Sequence, residues 1–562
     1  MPDRDNISRG LLVLLFVCFT AVWFGTLDYR KLIGPDEGRY AEIPREMVAS
    51  GDWTTPRLNN LKYFEKPPLQ YWATAAAFEV FGEHDWVPRL WPALTGYLSI
   101  LLAGFAALRL FGGRSALLSM LVLGSAFWHN LIGHIATLDM GTSFFLQLAL
   151  TGVLFANAQD TQENRRRPWM LVTWAALALA MLSKGLIGLV LPGATLVAYS
   201  LITRDWKPWR RLEILRGLPL FLVIAVPWFV SVSLANPEFP RFFFWHEHVE
   251  RFLTKVHRRY QPDWYFIPIL LIGFLPWSLA VVQSWFANLF GRPGREDGSR
   301  IFHSFQPGNF QPRRLLALWS LVIFAFFSLS SSKLPSYILP IFPALAILAG
   351  DTLANISRRA LLLHLLVATA LAAAALALLP QAAHLNTVNA PADLVPRYVR
   401  WLTVAAALWL AAGVAALWQT LRHRPLGAVL TLAMGTFLSG NIALLGHDIL
   451  GRSYSAYDLA KDIRPLVQAE TPFYSVGMYE QTLPYYLDRF VTLVDFKDEL
   501  AFGIGQEPDK WLPSQEAFIA RWKQDRDAFA VMEPGTYEQL QGKLPMAVVA
   551  RDHDRVIVRK PQ

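Results

Sequence analysis

Residues 34–47 read GPDEGRYAEIPREM, and they follow at once on the apolar run GLLVLLFVCFTAVWFGTL of residues 10–27. That run approaches the roughly 20 apolar residues that a membrane-spanning helix needs. Arg4 and Arg9 precede it, but no small-residue cleavage site follows; the chain continues Leu27-Asp28-Tyr29-Arg30. It therefore reads as a retained first span and not as a signal peptide. Asp36 and Glu37 then stand just beyond the span, where carboxylates are costly unless they are used. They also suit the first turn of a helix, as counter-charges to its dipole, with Pro35 at its start. Tyr40, Ile43 and Met47 share one face of that helix, as in a helix lying on a membrane surface, and Pro44 is expected to kink or end it.

The rest of the chain agrees with a membrane setting. Of its 562 residues 54% are hydrophobic and 13% aromatic, against roughly 45–50% apolar in soluble chains. The excess is gathered in about thirteen stretches of spanning length, at residues 10–28, 88–108, 115–132, 138–157, 168–183, 186–202, 216–234, 266–289, 315–331, 337–353, 360–379, 399–418 and 425–446. Many of the 21 Trp and 37 Phe stand at the ends of these runs, as in aromatic belts. The net charge of +9 does not point to nucleic acid, since no basic face with interleaved aromatics lies outside the apolar part. Cys18 is the single cysteine and excludes an internal disulfide or a cysteine-based metal site.

With the N-terminus in the cytoplasm, every inner loop is basic, as the positive-inside rule requires. These loops hold Arg109 and Arg114, Arg165-Arg166-Arg167, Arg204 to Arg211, Arg292 to Arg314, Arg358-Arg359, and Arg422 to Arg424. Two outer segments, 29–87 and 235–265, break the rule, so their charges call for a functional reading. From about residue 447 the apolar runs shorten to strand length, at Phe473 to Met478, Val491 to Phe496, Ala528 to Met532, Ala547 to Ala550 and Val556 to Val558. Helix-like stretches at Tyr457 to Glu470 and Pro513 to Asp527 separate them, which predicts a small α/β domain over 447–562 behind a membrane domain over 1–446. That tail carries no phosphate loop, no Gly-rich dinucleotide fingerprint and no evident triad, so no chemistry is assigned to it.

The first outer loop continues Asp52-Trp53-Thr54-Thr55-Pro56-Arg57 and then Tyr63-Phe64-Glu65-Lys66-Pro67-Pro68-Leu69. Two prolines after Lys66 hold the backbone extended, and a rigid loop offering Glu and Lys at a membrane surface can hold a phosphate. It can equally be an ordinary charged turn. The acidic pair after the first span, followed by this Tyr-Phe-Glu-Lys-Pro-Pro loop, resembles the protein-O-mannosyltransferase-related superfamily of GT-C glycosyltransferases. Within it, residues 35–72, PDEGRYAEIPREMVASGDWTTPRLNNLKYFEKPPLQYW, are similar to the bacterial aminoarabinose transferases, the ArnT family.

The resemblance implies a mainly α polytopic membrane protein of GT-C fold with about 13 transmembrane helices and a small C-terminal α/β periplasmic domain. It implies a glycosyltransferase of the bacterial inner membrane, with active site and tail in the periplasm. The donor would be undecaprenyl-phosphate-linked 4-amino-4-deoxy-L-arabinose and the acceptor a lipid A phosphate. The cationic sugar lowers negative surface charge and gives resistance to polymyxin and other cationic peptides. Asp36, Glu37, Lys66 and Arg251 are then the expected catalytic residues; Arg39, Tyr40, Tyr63, Glu65, Asp139, Lys184 and Tyr337 are expected to bind substrate.

Arg251 offers a fork of donors and Lys66 a point charge, a suitable pair for the leaving phosphate. Asp36 can orient the acceptor, take up a residual proton, or stabilise positive character at the sugar ring. Asp139 begins a span at its outer end, where it either lines the cavity or caps the helix. Lys184, Lys333 and Tyr337 sit in short outer turns, where the lysines either extend a cationic cavity or snorkel. His246 and His248 do not face together on a helix. They are interfacial hydrogen-bonders, or His246 joins Glu65 around a divalent metal ion; no nucleotide cofactor is expected. Besides the donor, the acceptor and membrane lipids, no partner is implied. Competing readings are a GT-C enzyme for another polyprenyl-phosphate-linked sugar or a protein acceptor, a lipid or sugar transporter, and a membrane scaffold. A transporter would show inverted repeats and polar groups at mid-bilayer, whereas these charges cluster at one surface.

Overall fold

In the computed structural model, residues 7–158, 161–250, 260–291, 309–384 and 391–561 are described. They form two compact units. The first takes the chain up to Thr26, Trp91–Pro380 and Trp401–Leu444; the second takes Leu27–Leu90, Gln381–Arg400 and the tail from Leu445 onward. The first outer loop thus belongs to the same unit as the tail.

The first unit is helical. Among the described residues eight helices are long and apolar enough to cross a membrane, including Val87–Phe111, Asp139–Asn157, Ile214–Ala235 and Pro425–Tyr454. Shorter apolar helices run over Arg9–Gly25, Ile187–Thr203, Asp263–Gly273 and Ser278–Phe290. Two expected single spans are broken. The stretch 115–132 is two helices, Gly113–Ser125 and Phe127–Gly133, bent by 64°. At the bend Ser125 Oγ donates back to the Leu121 carbonyl at 2.5 Å, and Trp277 Nε1 donates to the same hydroxyl at 2.8 Å; such back-bonding bends helices. The stretch 266–289 breaks before Ser278, where Pro276 cannot carry the backbone ladder forward.

Helices here approach closely through small residues, the usual means of packing where lipid offers no hydrophobic drive. A Cβ on Gly152 would come within 2.7 Å of the Trp169 carbonyl, so Asp139–Asn157 and Glu163–Lys184 pack with almost no gap. Some buried polar groups pair between helices: Gln147 Nε2 donates to the Ser99 carbonyl at 3.0 Å, and Arg313 Nε to Asp351 at 2.7 Å.

The second unit is mixed. A ribbon of β1 (Arg57–Leu58) and β2 (Leu61–Lys62) turns through Asn59 and Asn60, both at positive φ. The tail carries β3 (Phe473–Val476), β4 (Thr492–Val494), β5 (Trp511–Leu512), β6 (Phe529–Met532), β7 (Ala547–Arg551) and β8 (Val556–Arg559). Their order is β5-β4-β3-β6-β8-β7, with β5, β4, β3 and β6 parallel and β8 antiparallel to β6 and β7. All five expected strands are present; β5 is too short to leave a periodic signal. Phe518 and Trp522 of the helix Gln515–Gln524 pack on Tyr474, Val476, Met532 and Val556 of the sheet.

The helix Asp36–Ser50 corrects two expectations. It does not lie on a surface, because every residue from Glu37 to Met47 is buried. Nor does Pro44 end it: the helix runs on to Ser50 and stops at Gly51, which adopts the left-handed conformation (φ 70°) that closes helices. Burial on all sides outweighs the one backbone hydrogen bond that proline forfeits.

Candidate active site

Asp36 and Glu37 are adjacent in sequence and opposite in setting. Glu37 is fully buried and receives Arg89 in a two-pronged pair, Nε to Oε1 and Nη2 to Oε2, each at 2.7 Å. Arg89 Nη1 also donates to the carbonyls of Leu27 (2.9 Å) and Arg30 (2.6 Å), and Nη2 to that of Lys31 (2.9 Å). All five guanidinium donors are therefore used. The chain leaving the first span is stapled to Glu37, whose Oε2 also accepts from the Ile33 amide at 3.2 Å. Arg30 is buried beside this pair; burial and the Arg89 charge push its guanidinium down to about 10. Asp36, by contrast, has a side chain 49% exposed and touches Arg39 Nη1 at 3.1 Å.

The far end of the same helix is also saturated. Glu46 accepts from the amides of Asn59 (2.5 Å) and Asn60 (2.9 Å) and so fixes the β1–β2 turn. Burial, and then the neighbouring Glu42, push its carboxyl well above the usual range. Arg45 Nη2 binds Glu42 at 2.7 Å, and its Nη1 reaches Asp488 of the tail. Asn59 and Val491 exchange two hydrogen bonds, at 2.7 and 2.8 Å. Gly38 allows the closest approach: a Cβ there would meet the Gln481 carbonyl at 2.7 Å and the Thr482 amide at 2.8 Å.

Between these ends lies a different environment. Arg39 is buried and forms an ion pair with Glu499, whose Oε1 accepts from Gln481 Nε2 at 3.0 Å. Burial pushes the Glu499 carboxyl up, against the opposing pull of Arg39. The rings of Tyr40 and Tyr71 stack with centroids 6.1 Å apart. Five side chains of this region keep buried polar atoms that have no partner among the described residues: Arg39 Nε, Tyr63 Oη, both amide atoms of Gln70, Tyr71 Oη and Thr74 Oγ1. Buried polar groups are nearly always satisfied, so this gathering marks a place for water or a polar ligand. Burial holds both phenols well above their usual range, so they remain donors at neutral pH. Lys66 Nζ donates to the Glu65 carbonyl at 2.8 Å and lies 3.8 Å from its carboxylate.

The first unit gathers three more expected residues. Asp139 starts its helix and pairs with Lys184, and that ammonium lies 4.6 Å from the Tyr337 ring centroid. Lys333 is tied to the Gln261 carbonyl at 2.9 Å and to Asp263 at 3.6 Å. His246 shares a 2.7 Å hydrogen bond with Glu250 and stacks on Phe242. Arg251 lies outside the described residues, as does the side chain of His248. Among the described residues no three His, Cys, Asp or Glu side chains come together to close a metal coordination sphere. His246 and Glu65 each already face a charged side chain.

Sequence reading did not single out Glu499, Gln70, Tyr71 or Thr74. Gln70 and Tyr71 directly continue the Lys-Pro-Pro-Leu motif, and Gln70 and Thr74 are one helical turn apart, which is the signal that could have found them. Glu499 has no local signal, since its meaning depends on Arg39 far away in the chain.

Residues 459–560 match the family described as aminoarabinose transferase C-terminal domain, and residues 10–243 match dolichyl-phosphate-mannose-protein mannosyltransferase. An undecaprenyl phosphate-alpha-4-amino-4-deoxy-L-arabinose arabinosyl transferase of Erwinia tasmaniensis is 32% identical over 437 residues, 75% of this chain and 74% of that one. A Pseudomonas fluorescens protein of the same description is 34% identical, over 62% of this chain and 57% of that one. The crystal structure of ArnT from Cupriavidus metallidurans bound to undecaprenyl phosphate is 41% identical, covers 99% of this chain and 100% of that one, and superposes with a TM-score of 0.92. Its apo form gives 0.91 at 42% identity. With both ends of the chain and its fold in agreement, the chain belongs to the aminoarabinose transferase (ArnT) family of GT-C membrane glycosyltransferases.

Proposed function

We propose that this protein moves 4-amino-4-deoxy-L-arabinose from undecaprenyl phosphate onto a phosphate of lipid A, at the periplasmic face of the inner membrane. The added cation lowers the surface charge and protects against polymyxin. The observation that carries this reading is the end-to-end likeness to a transferase crystallised with undecaprenyl phosphate, in a chain that keeps Asp36 exposed beside the clamped Glu37.

The lipid A phosphate attacks the anomeric carbon, and undecaprenyl phosphate departs with the bonding electrons. The nucleophile is already anionic, so the site has to position groups and manage charge more than remove a proton. Lys66, with Arg251, stabilises the leaving phosphate. Asp36 orients the acceptor or stabilises positive character at the ring. Glu37 does not reach the substrate; clamped by Arg89, it sets the position of Asp36. Tyr63, Gln70, Tyr71 and Thr74 supply hydrogen bonds to a hydroxyl-rich ligand. Glu65 and Asp139 are carboxylates suited to the sugar's ammonium, with Lys184 and Tyr337 beside Asp139.

The test is mass spectrometry of lipid A from a polymyxin-sensitive strain that makes the donor, lacks its own transferase and expresses this chain. Wild type is expected to add one aminoarabinose mass, and Asp36→Asn to lower transfer by about 100-fold or more while folding normally. No mass gain with folded wild type would move the reading to another sugar or acceptor.

A further inference from the structure

The three loops with Arg166, Arg204 to Arg211, and residues up to Arg314 all sit where the charge pattern places the cytoplasm. Topology requires positive charge there, and solvated lysines and arginines on loose loops satisfy it. It does not require a cavity. Yet a polar cavity of about 260 Å³ opens within the first unit, walled by Asn157, Arg166, Asp205, Lys207, Arg211 and Asn309. Its charged lining is three cations and one carboxylate.

Two of these side chains keep buried atoms without a partner among the described residues: Arg166 Nε and Asp205 Oδ2. Asp205 is 5% exposed, and its other oxygen accepts from the Lys207 amide at 3.0 Å. Among the described residues the Arg211 guanidinium makes one long hydrogen bond, 3.4 Å, to Asn157 Oδ1. Burial and the nearby Arg166 both push the Arg211 guanidinium down, against the opposing pull of Asp205, so the cations gathered here outnumber the one carboxylate beside them. Close in sequence to the lining residues, large apolar side chains are exposed: Leu201 is 63% exposed, Trp206 52% and Leu215 93%. Exposed Trp and Leu next to a cationic pocket mark the level of lipid headgroups.

We infer that this cavity binds the phosphodiester of a glycerophospholipid headgroup, with Arg166, Lys207 and Arg211 around the phosphate and Asp205 accepting from a donor on the same headgroup. Guanidinium forks match phosphate oxygens, and basic pockets between helices on the cytoplasmic side are general sites for lipid phosphates. Asp205 adds selection. A headgroup that carries an ammonium or hydroxyl donor satisfies its buried oxygen, whereas a quaternary headgroup leaves it orphaned beside the phosphate. The proposed orientation decides only which leaflet supplies the lipid; the site stands apart from the transfer reaction.

Native mass spectrometry of the full chain in detergent tests this, with dioctanoyl phosphatidylglycerol, phosphatidylethanolamine or phosphatidylcholine added in turn. Retention of the first two well above the third is expected. The double variant Arg166→Lys/Arg211→Lys keeps the topological charge but loses both forks, and should lower retention about tenfold. Asp205→Asn should narrow the gap to phosphatidylcholine. Equal retention by wild type and the double variant would overturn the site, as would equal retention of all three lipids. Displacement of bound lipid by millimolar inorganic phosphate alone would overturn the lipid source and leave a plain phosphate site. Lipid A transfer, measured in parallel, separates failure here from failure of the proposed reaction.

Discussion

The second unit holds two kinds of buried polar chemistry within a few ångströms of one helix, and they differ in completeness. At Glu37–Arg89 and at Glu46 with Asn59 and Asn60, the charged donors and acceptors meet protein partners. Around Arg39, Tyr63, Gln70, Tyr71 and Thr74, polar atoms are buried with no such partner. Both regions are charged, both draw on residues 35–72, and a motif reading treats them alike. The difference separates architecture from function. Saturated groups have finished their interactions on folding, while unsaturated groups carry a cost of roughly 1–3 kcal/mol each that only water or a ligand relieves.

The comparison breaks most readily at Glu37. Glu37→Gln leaves Arg89 buried without its counter-charge and is expected to destabilise the protein by about 3–5 kcal/mol, read as a large fall in Tm in detergent. If Glu37→Gln melts like wild type and loses only transfer, the saturated region is functional after all. Gly38→Ala forces a methyl against the backbone of Gln481 and Thr482 and should cost about 1–3 kcal/mol, measured the same way.

The partnerless region should behave in the opposite sense. Tyr63→Phe and Tyr71→Phe each remove a buried hydroxyl that has no partner, so Tm should hold or rise slightly while transfer falls about tenfold. Loss of stability without loss of transfer would return these phenols to the core.

The smallest expected effect is on pH. Burial alone would raise the Glu507 carboxyl, but Lys510 at 2.8 Å and Arg57 at 3.0 Å hold it below its usual value. A depressed carboxyl contributes stability that is present above its unfolded value of about 4.3 and is lost as pH falls through the lowered folded value. Hydrogen exchange of residues 57–62 should accordingly speed up on acidification below that point, and Glu507→Gln should remove the dependence. The raised carboxyls of Glu46 and Glu499 act in the opposite sense, losing stability as pH rises.

The fold was largely legible because apolar length and strand-sized runs are local properties. The tail strands at Phe473, Thr492, Phe529, Ala547 and Val556 announced themselves by composition. The broken helices at Ser125 and Pro276 did not, since a bend depends on what packs against it. In the site, Asp139, Lys184 and Tyr337 are each placed separately at outer span ends or turns by the sequence, and the structure brings the three together. Asp36 and Glu37 are both expected catalytic residues from the sequence; burial separates the exposed Asp36 from the clamped Glu37. The surface-helix expectation for residues 36–47 failed because a helical face says which residues share a side, not whether the opposite side is also covered. Here the tail segment around Gln481 covers it, and no sequence period reports a partner more than four hundred residues downstream.

The reciprocal hydrogen bonds between Asn59 and Val491 join positions 432 residues apart. At ribosomal speeds of about 5–20 residues per second, the outer loop is made roughly 20–90 seconds before its partner exists. Throughout that interval the helix bearing Asp36 lacks the contacts with Gln481, Asp488 and Glu499 that enclose it. The transferase is thus assembled by its last fifth, and a chain cut short before residue 491 would keep the Glu37–Arg89 clamp but lack the Asn59–Val491 and Arg39–Glu499 contacts that enclose the helix of Asp36.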